Sequence, residues 1–232
     1  MTAVRVERPV SRRALVRVAL VLGVAGVANG VAGCAGRSDT VDGTPPVEKP
    51  SSHPPVAAPA ARVLLAYFSR PGENYYYGDR IELETGNTQV LAGMIADRIA
   101  CDLHRIEPSD PYSADYEETV ERNRMEQRDG ARPGIANPID SIEQYDVIVL
   151  ASPVWNSSAP MIMRTFVEGL DFRGKIVLPV TTHAVSGLSG VPAVYQELCI
   201  GAQIGDGLAV QGEEVTAASP AVEEWVGRVG LL

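Results

Sequence analysis

Hydroxyl and amide groups lie between an apolar run and a helical pattern early in this sequence. The run Arg62–Phe68 is almost entirely apolar, and Ser69 follows it directly. Gly86, Asn87 and Thr88 precede apolar residues at helical spacing, so Asn87 or Thr88 is expected to cap a helix. Because hydroxyls beside the free amides of a helix N-terminus bind anions well, the stretch predicts a phosphate site, with residues that only cap the helix as the alternative.

Two further loops combine ligand-binding residues with a preceding apolar run. The first follows 145–151 and contains Ser152, Pro153, Val154, Trp155 and Asn156, and the second follows 175–180 and contains Thr182, His183, Ser186 and Gly187. Trp155 offers a flat apolar face to a planar ring, although it could instead be a core residue. The small residues of the loop after 175–180, the third of the three loops, allow its backbone to approach a ligand closely. His183 either donates to that ligand or caps the loop.

The elements that must position these loops alternate along the chain. Apolar runs predict five strands, at 62–68, 102–106, 145–151, 175–180 and 206–210. Periodic or capped segments predict five helices: one that begins at about 88, one at 116–128, one at 160–170, one that ends at about 199 and one at 221–229. Five strands alternating with five helices indicate an α/β fold with a doubly wound parallel sheet. In such a sheet ligands bind at the carboxyl ends of the strands, where all three loops begin.

Taken together, the three loops resemble the flavodoxin family, and in particular its longer extracytoplasmic branch. The resemblance covers 62–232 and implies a five-stranded parallel sheet in the order 2-1-3-4-5, with FMN as cofactor. It implies that the cofactor is bound by Ser69, Arg70, Gly86, Asn87, Thr88, Pro153, Val154, Trp155, Asn156, Thr182, His183, Ser186 and Gly187. In this reading the first loop holds the phosphate, with Arg70 assisting, and Trp155 stacks on the isoalloxazine ring.

Two features depart from the family pattern. The insertion from Arg70 to Thr85 interrupts the phosphate loop and contains Tyr75, Tyr76 and Tyr77. It is expected to be either a lid near the flavin or an unrelated surface hairpin. The third loop lacks the second stacking aromatic residue of many flavodoxins, which leaves one face of the ring open. An open face favours an enzyme over a pure electron carrier.

The N-terminal region is typical of an export signal rather than of a folded domain. Residues 1–33 contain a basic segment, an apolar stretch and small residues immediately before Cys34. This layout resembles a bacterial lipoprotein signal, in which Cys34 is lipidated, and a transmembrane helix or a soluble secreted protein are the alternatives. Arg12 and Arg13 resemble a twin-arginine export motif, or are simply part of the basic segment. The Pro-rich segment 34–61 predicts an extended, disordered tether.

Composition excludes several functions for the remaining domain. The 33 N-terminal residues hold five of the 20 basic and one of the 29 acidic residues, so the formal net charge changes from −9 to −13 without them. A domain this acidic is not expected to bind nucleic acid. Cys101 and Cys199 are expected to be free, largely buried thiols. The histidines are scattered, so no metal site is predicted.

The sequence therefore predicts an FMN-binding flavoprotein that transfers electrons and is lipid-anchored on the extracytoplasmic face of the cell membrane. Its expected partner is a basic redox protein or a small electron acceptor. Two alternatives remain: an FMN-dependent quinone or NAD(P)H reductase, and a surface binding module that has lost flavin. A serine hydrolase is disfavoured because no G-x-S-x-G motif is present.

Overall fold

The computed structural model describes residues 61–232, so the predicted signal, Cys34 and the tether up to residue 60 lie outside the described residues. The elements are β1 (Val63–Tyr67), β2 (Gly72–Tyr76), β3 (Asp79–Leu83), α1 (Asn87–Ala96), β4 (Asp102–Arg105), α2 (Tyr116–Asp129), β5 (Val147–Pro153), α3 (Met161–Glu168), β6 (Ile176–His183), α4 (Val191–Leu198), β7 (Gln203–Ile204), β8 (Leu208–Gln211), a 3₁₀ helix (Gly212–Ala217) and α5 (Ser219–Arg228).

The central sheet is parallel throughout and has the predicted strand order. It runs β4-β1-β5-β6, and both β7 and β8 pair with β6 beyond it. β1 and most of β5 are buried on both faces, which explains why their sequences are continuous apolar runs rather than alternating ones. With β7 and β8 taken as one interrupted strand, this is the order 2-1-3-4-5, and the predicted α/β fold is confirmed.

Alternate residues of each central strand point into two separate cores. Leu64, Ala66 and Ile148 belong to the core under α3 and α4, whereas Val63 and Leu65 belong to the core under α1 and α5. Because successive side chains of a strand face opposite sides of the sheet, helices must cover both faces to exclude water. This requirement produces the doubly wound arrangement and leaves the strand ends open for a ligand.

Three details differ from the sequence prediction. α1 begins at Asn87 with Gly86 at its N-cap position, so neither Asn87 nor Thr88 is the cap. The last predicted strand, 206–210, is instead the pair β7 and β8, separated by Gly-Asp-Gly at 205–207. Glycines in a strand offer no side chain to pack and commonly interrupt pairing. The insertion at 70–85 contains an antiparallel hairpin, β2-β3, that is separate from the main sheet.

A capping residue marks the start of α2. α2 is capped by Asp115, whose carboxylate accepts from the Glu118 amide at 2.8 Å. Cys101 and Cys199 are free, and burial raises the pKa of the Cys199 thiol to about 12. No group of three or more possible metal ligands occurs within residues 61–232. In the same range no helix combines the length and the apolar character needed to cross a bilayer.

Candidate functional site

A cleft opens at the carboxyl edge of the sheet, where β1, β5 and β6 end. It is lined by Ser69, Arg70, Asn74, Tyr75, Asn87, Thr88, Tyr116, Pro153, Val154, Trp155, Thr182, His183, Ala184, Gly212 and Glu213. Nine of the thirteen residues predicted to bind the cofactor are in this set. The strand ends meet because parallel neighbours in register finish at the same edge: Ala151 lies opposite both Tyr67 and Val180.

The N-terminus of α1 presents free donors to the cleft. The amides of Asn87 and Thr88 are the first two of the helix, and such amides have no partner within it. The Thr88 hydroxyl lies 2.7 Å from that of Thr182, and both side chains are buried. The Ser69 hydroxyl accepts from the Gln89 amide at 3.1 Å and so fixes the loop after β1 to the helix. Amides and hydroxyls in this arrangement suit a phosphate.

Gly86 allows the loop after β1 to touch the start of α1. A Cβ atom at this position would lie 2.3 Å from the Arg70 carbonyl oxygen and 2.5 Å from the Ser69 hydroxyl. No side chain fits at these distances. Gly86 therefore supports the phosphate region by its small size, although it does not line the cleft itself.

Arg70 is a buried cation that pairs only with neutral groups. It is 8% exposed, and its guanidinium donates to the carbonyl oxygens of Ser113 at 2.8 Å, Ala114 at 3.0 Å and Glu73. Within residues 61–232 no carboxylate lies within salt-bridge distance of it. Burial lowers the pKa of Arg70, and the carboxylates of Glu82, Glu73 and Asp115 partly oppose this effect from beyond salt-bridge distance. Its positive charge is thus available to stabilise an anion in the cleft.

Trp155 is held at a fixed angle by two other aromatic rings. Its ring meets Phe68 at a centroid distance of 5.4 Å and Tyr112 at 4.9 Å, both edge to face. Its main chain is fixed as well, because the Gln127 side chain donates to the Trp155 carbonyl at 3.1 Å. The half-buried indole therefore combines both expected roles: it packs against the core and also lines the cleft.

Four predicted residues do not line the cleft. Besides Gly86, these are Asn156, Ser186 and Gly187. Asn156 has a φ of 46° and donates to the Gln127 side chain at 2.6 Å instead of facing the cleft. Ser186 is exposed, and the Gly187 carbonyl accepts from the Thr181 hydroxyl at 3.1 Å, which fixes the third loop.

His183 ends β6 with a half-buried ring in the cleft wall. Its Nδ1 is buried and has no hydrogen-bond partner among the described residues. Burial lowers the pKa of His183, and the nearby Glu213 carboxylate partly opposes this effect. The neutral imidazole is therefore favoured in this site. Its unpaired nitrogen is a free polar contact for a ligand.

Comparison with known proteins assigns the family. The profile of a flavodoxin family matches residues 82–229, which is more than half of the chain. The chain belongs to the flavodoxin family. This assignment supports FMN as its cofactor, as the sequence analysis predicts. No curated protein sequence matches the chain significantly.

Two solved flavoprotein structures share the fold, and a third is less similar. A flavoprotein from Bacteroides uniformis is 27% identical, with a TM-score of 0.57 over 72% of this chain and 99% of its own. One from Bacteroides eggerthii is 25% identical, with a TM-score of 0.58 over 74% and 99%. A flavoprotein from Lactobacillus acidophilus, solved in complex with FMN, is 20% identical with a TM-score of 0.49 over 68% and 98%.

This flavodoxin also has cleft residues that the sequence analysis missed. They are Asn74, Tyr116, Ala184, Gly212 and Glu213, whereas Tyr75 was considered only as part of a lid. The hairpin brings Tyr75 to the cleft and leaves Tyr76 and Tyr77 exposed. It is joined to the 3₁₀ helix, since the Tyr77 amide donates to the Glu213 side chain at 3.2 Å. The tyrosine cluster was the one available signal for this part of the site.

The cleft residues fit the two halves of FMN. A phosphate dianion matches the amides of Asn87 and Thr88 and the buried positive charge of Arg70. A flat ring matches the fixed face of Trp155. When bound, FMN would supply the redox chemistry, and the protein would position it and tune its electronics.

Proposed function

We propose that this chain is an FMN-dependent electron-transfer protein. The observation that supports it most directly is the convergence of three strand-end loops on one cleft. One loop meets the free amides at the start of α1, the second carries Trp155, and the third carries His183. The buried Arg70 strengthens the case, because burying a charge is costly unless it is paired, and its guanidinium donates only to carbonyl oxygens in the described residues.

Each group has a separate task in this proposal. The α1 amides and Arg70 hold the phosphate, and Trp155 orients the ring. The carboxylate of Glu213 lines the same cleft, and negative charge near a flavin disfavours its anionic reduced form. The acidic chain therefore tunes its cofactor to a low reduction potential and attracts a basic redox partner.

The test is reconstitution of the full chain with FMN, followed by its absorption spectrum and dissociation constant. Wild type is expected to bind FMN stoichiometrically and to be reduced reversibly by dithionite. Trp155→Ala should weaken FMN binding, whereas Trp155→Phe should retain most of it, because base or ring stacking on an aromatic face contributes about 1–3 kcal/mol. Thr216→Ala, at an exposed position outside the cleft, is the control. A folded wild-type protein that does not bind added FMN would refute the proposal.

A reductase is the second candidate, supported by the third loop. Ala184 lines the cleft there, and Val185 is 85% exposed, so no aromatic side chain of this loop covers the ring site. An open ring face admits a substrate or a hydride donor. Steady-state oxidation of NAD(P)H by the FMN-loaded protein with a quinone present would separate the two functions, since a pure carrier shows no such turnover.

We also propose that the protein is a lipoprotein on the extracytoplasmic face of the membrane, anchored through Cys34. The support is the order of basic, apolar and small residues before Cys34. Expression of the full chain in a bacterial host, with fractionation of wild type and Cys34→Ser, tests this. Wild type is expected in the membrane fraction and Cys34→Ser in the soluble extracytoplasmic fraction. Identical fractionation of both would contradict the anchor.

A further inference from the structure

A second cavity, of about 210 Å³, shares one wall with the cofactor cleft. Five residues border both: Arg70, Asn74, Tyr116, Val154 and Trp155. The rest of the wall comes mainly from α2, through Thr119, Val120, Asn123 and Arg124, so we call it the α2 cavity. Its volume is several times the roughly 30 Å³ that one water molecule occupies in the liquid. A molecule bound there would lie beside the loop that orients the ring.

Asn123 brings an unsatisfied amide to the α2 cavity. The residue is 4% exposed, and its Oδ1 has no hydrogen-bond partner in residues 61–232. By contrast, the Thr119 hydroxyl in the same wall already donates to the Ser113 carbonyl at 2.9 Å. Buried polar groups are nearly always paired, so an orphan amide in a cavity wall indicates a missing partner. A hydroxyl group of a ligand can pair with either end of an amide.

Arg124 places an available positive charge in the wall of the α2 cavity. Its side chain is 66% exposed, and the nearest carboxylate, that of Glu121, is 3.9 Å away. The other arginines of α2 are tightly paired: Arg122 contacts Glu126 at 2.8 Å, and Arg128 contacts Asp129 at 2.7 Å. In a chain with a formal charge of −9, this weakly paired cation is available to the anionic group of a ligand.

We propose that the α2 cavity binds the electron acceptor, a small aromatic carboxylate that carries hydroxyl or quinone oxygens. Trp155, Tyr116 and Val120 contact its ring, the Asn123 Oδ1 accepts from a ring hydroxyl of the hydroquinone form, and Arg124 binds the carboxylate. The inference rests on the proposed FMN function. In turnover the quinone form gains two electrons and two protons from the reduced flavin, which returns to its oxidised state, and leaves as the hydroquinone. An electron-donor protein supplies the next electron pair.

The test uses 2,5-dihydroxybenzoate, the hydroquinone form of such an acceptor, titrated calorimetrically into the FMN-loaded and the FMN-free full chain. Wild type is expected to bind it in both forms. Arg124→Gln and Asn123→Leu should each weaken this binding about fivefold or more, because each removes one directional contact. Both should leave the FMN dissociation constant within about twofold of wild type. Arg128→Gln, a matched exposed arginine on the same helix, should change neither value.

Two results would overturn the inference. One is competition between the probe and FMN, which would mean that the α2 cavity is part of the cofactor site. The other is probe binding that is absent or insensitive to Arg124→Gln, an exposed substitution that does not threaten folding. Failure of the proposed function is a different observation, since wild type would then show no FMN absorption when mixed with the cofactor.

Discussion

The paired hydroxyls of Thr88 and Thr182 provide a strict test of the site geometry. Their oxygens are 2.7 Å apart, and the two residues are 2% and 4% exposed. Thr88→Val keeps the shape of the side chain but leaves the Thr182 hydroxyl buried without this partner. A buried unsatisfied group costs about 1–3 kcal/mol in free energy of unfolding. For a domain of this size the loss corresponds to a fall in Tm of about 2–12 °C.

The double substitution distinguishes a hydrogen bond from simple proximity. With both threonines replaced by valine, no polar group is orphaned, and the free energy of unfolding should return to within about 1 kcal/mol of wild type. Urea denaturation of the FMN-free full chain measures all three variants, with Thr216→Val at an exposed position as the control. If the free energy of unfolding of the double variant falls by the sum of the losses in the two single variants, the two hydroxyls do not pair.

The same substitution tests the phosphate site. Thr88 lines the cleft, and a hydrogen bond to a charged phosphate contributes about 1.5–3 kcal/mol. Thr88→Val should therefore raise the FMN dissociation constant about tenfold or more. It should leave the dissociation constant of riboflavin, which has no phosphate, nearly unchanged. An equal loss for FMN and riboflavin would show that Thr88 does not act at the phosphate.

Three further predictions follow from single residues. Urea denaturation of Gly86→Ala should show a free energy of unfolding lower by about 1–3 kcal/mol, because the added Cβ overpacks against Arg70. Gly93→Ala, within α1, should raise it by about 0.5–1 kcal/mol, because the added Cβ would have no atom from outside the helix backbone within 4 Å. Because the pKa of His183 is lowered in the folded state, the unfolded chain binds more protons near pH 6, and the free energy of unfolding should fall as the pH drops below about 6.5. His183→Gln should reduce the dependence of this free energy on pH in a denaturation series from pH 5 to 8. An unchanged dependence would contradict the prediction. Tyr195→Phe should leave Tm unchanged or higher, because its fully buried hydroxyl makes no hydrogen bond of good geometry in the described part, where the Ser152 hydroxyl is its neighbour; a clear fall in Tm would show that these two hydroxyls pair.

Local sequence was sufficient for four strands of the main sheet, β4, β1, β5 and β6. A strand buried on both faces must be apolar at every position, so β1 and β5 were visible as continuous runs. Parallel neighbours joined by helices end at the same edge, which is why residues as distant as Ser69 and Thr182 could be assigned to one site. The prediction did not depend on any single motif.

Sequence signals are weaker where contacts join distant segments. Arg70 was expected to assist a phosphate, but its guanidinium also fixes carbonyls 43 and 44 residues away, which no local pattern reveals. Gly212 and Glu213 follow the last strand and enter the cleft only because β8 pairs with β6. The polar strands of the hairpin lack a buried face, so their alternation carried no hydrophobic signal.

Burial periodicity and the chemistry of short segments were enough to predict the parallel α/β architecture and the three loops that meet at one edge. The expectation of FMN came from the resemblance of those loops to the flavodoxin family. Contacts in the folded domain decide that Gly86, rather than Asn87 or Thr88, occupies the N-cap position of α1, that Asn156 turns toward α2, and that a second cavity adjoins Trp155. Such features depend on side-chain packing between segments far apart in the chain, and that packing is fixed only when the whole domain folds.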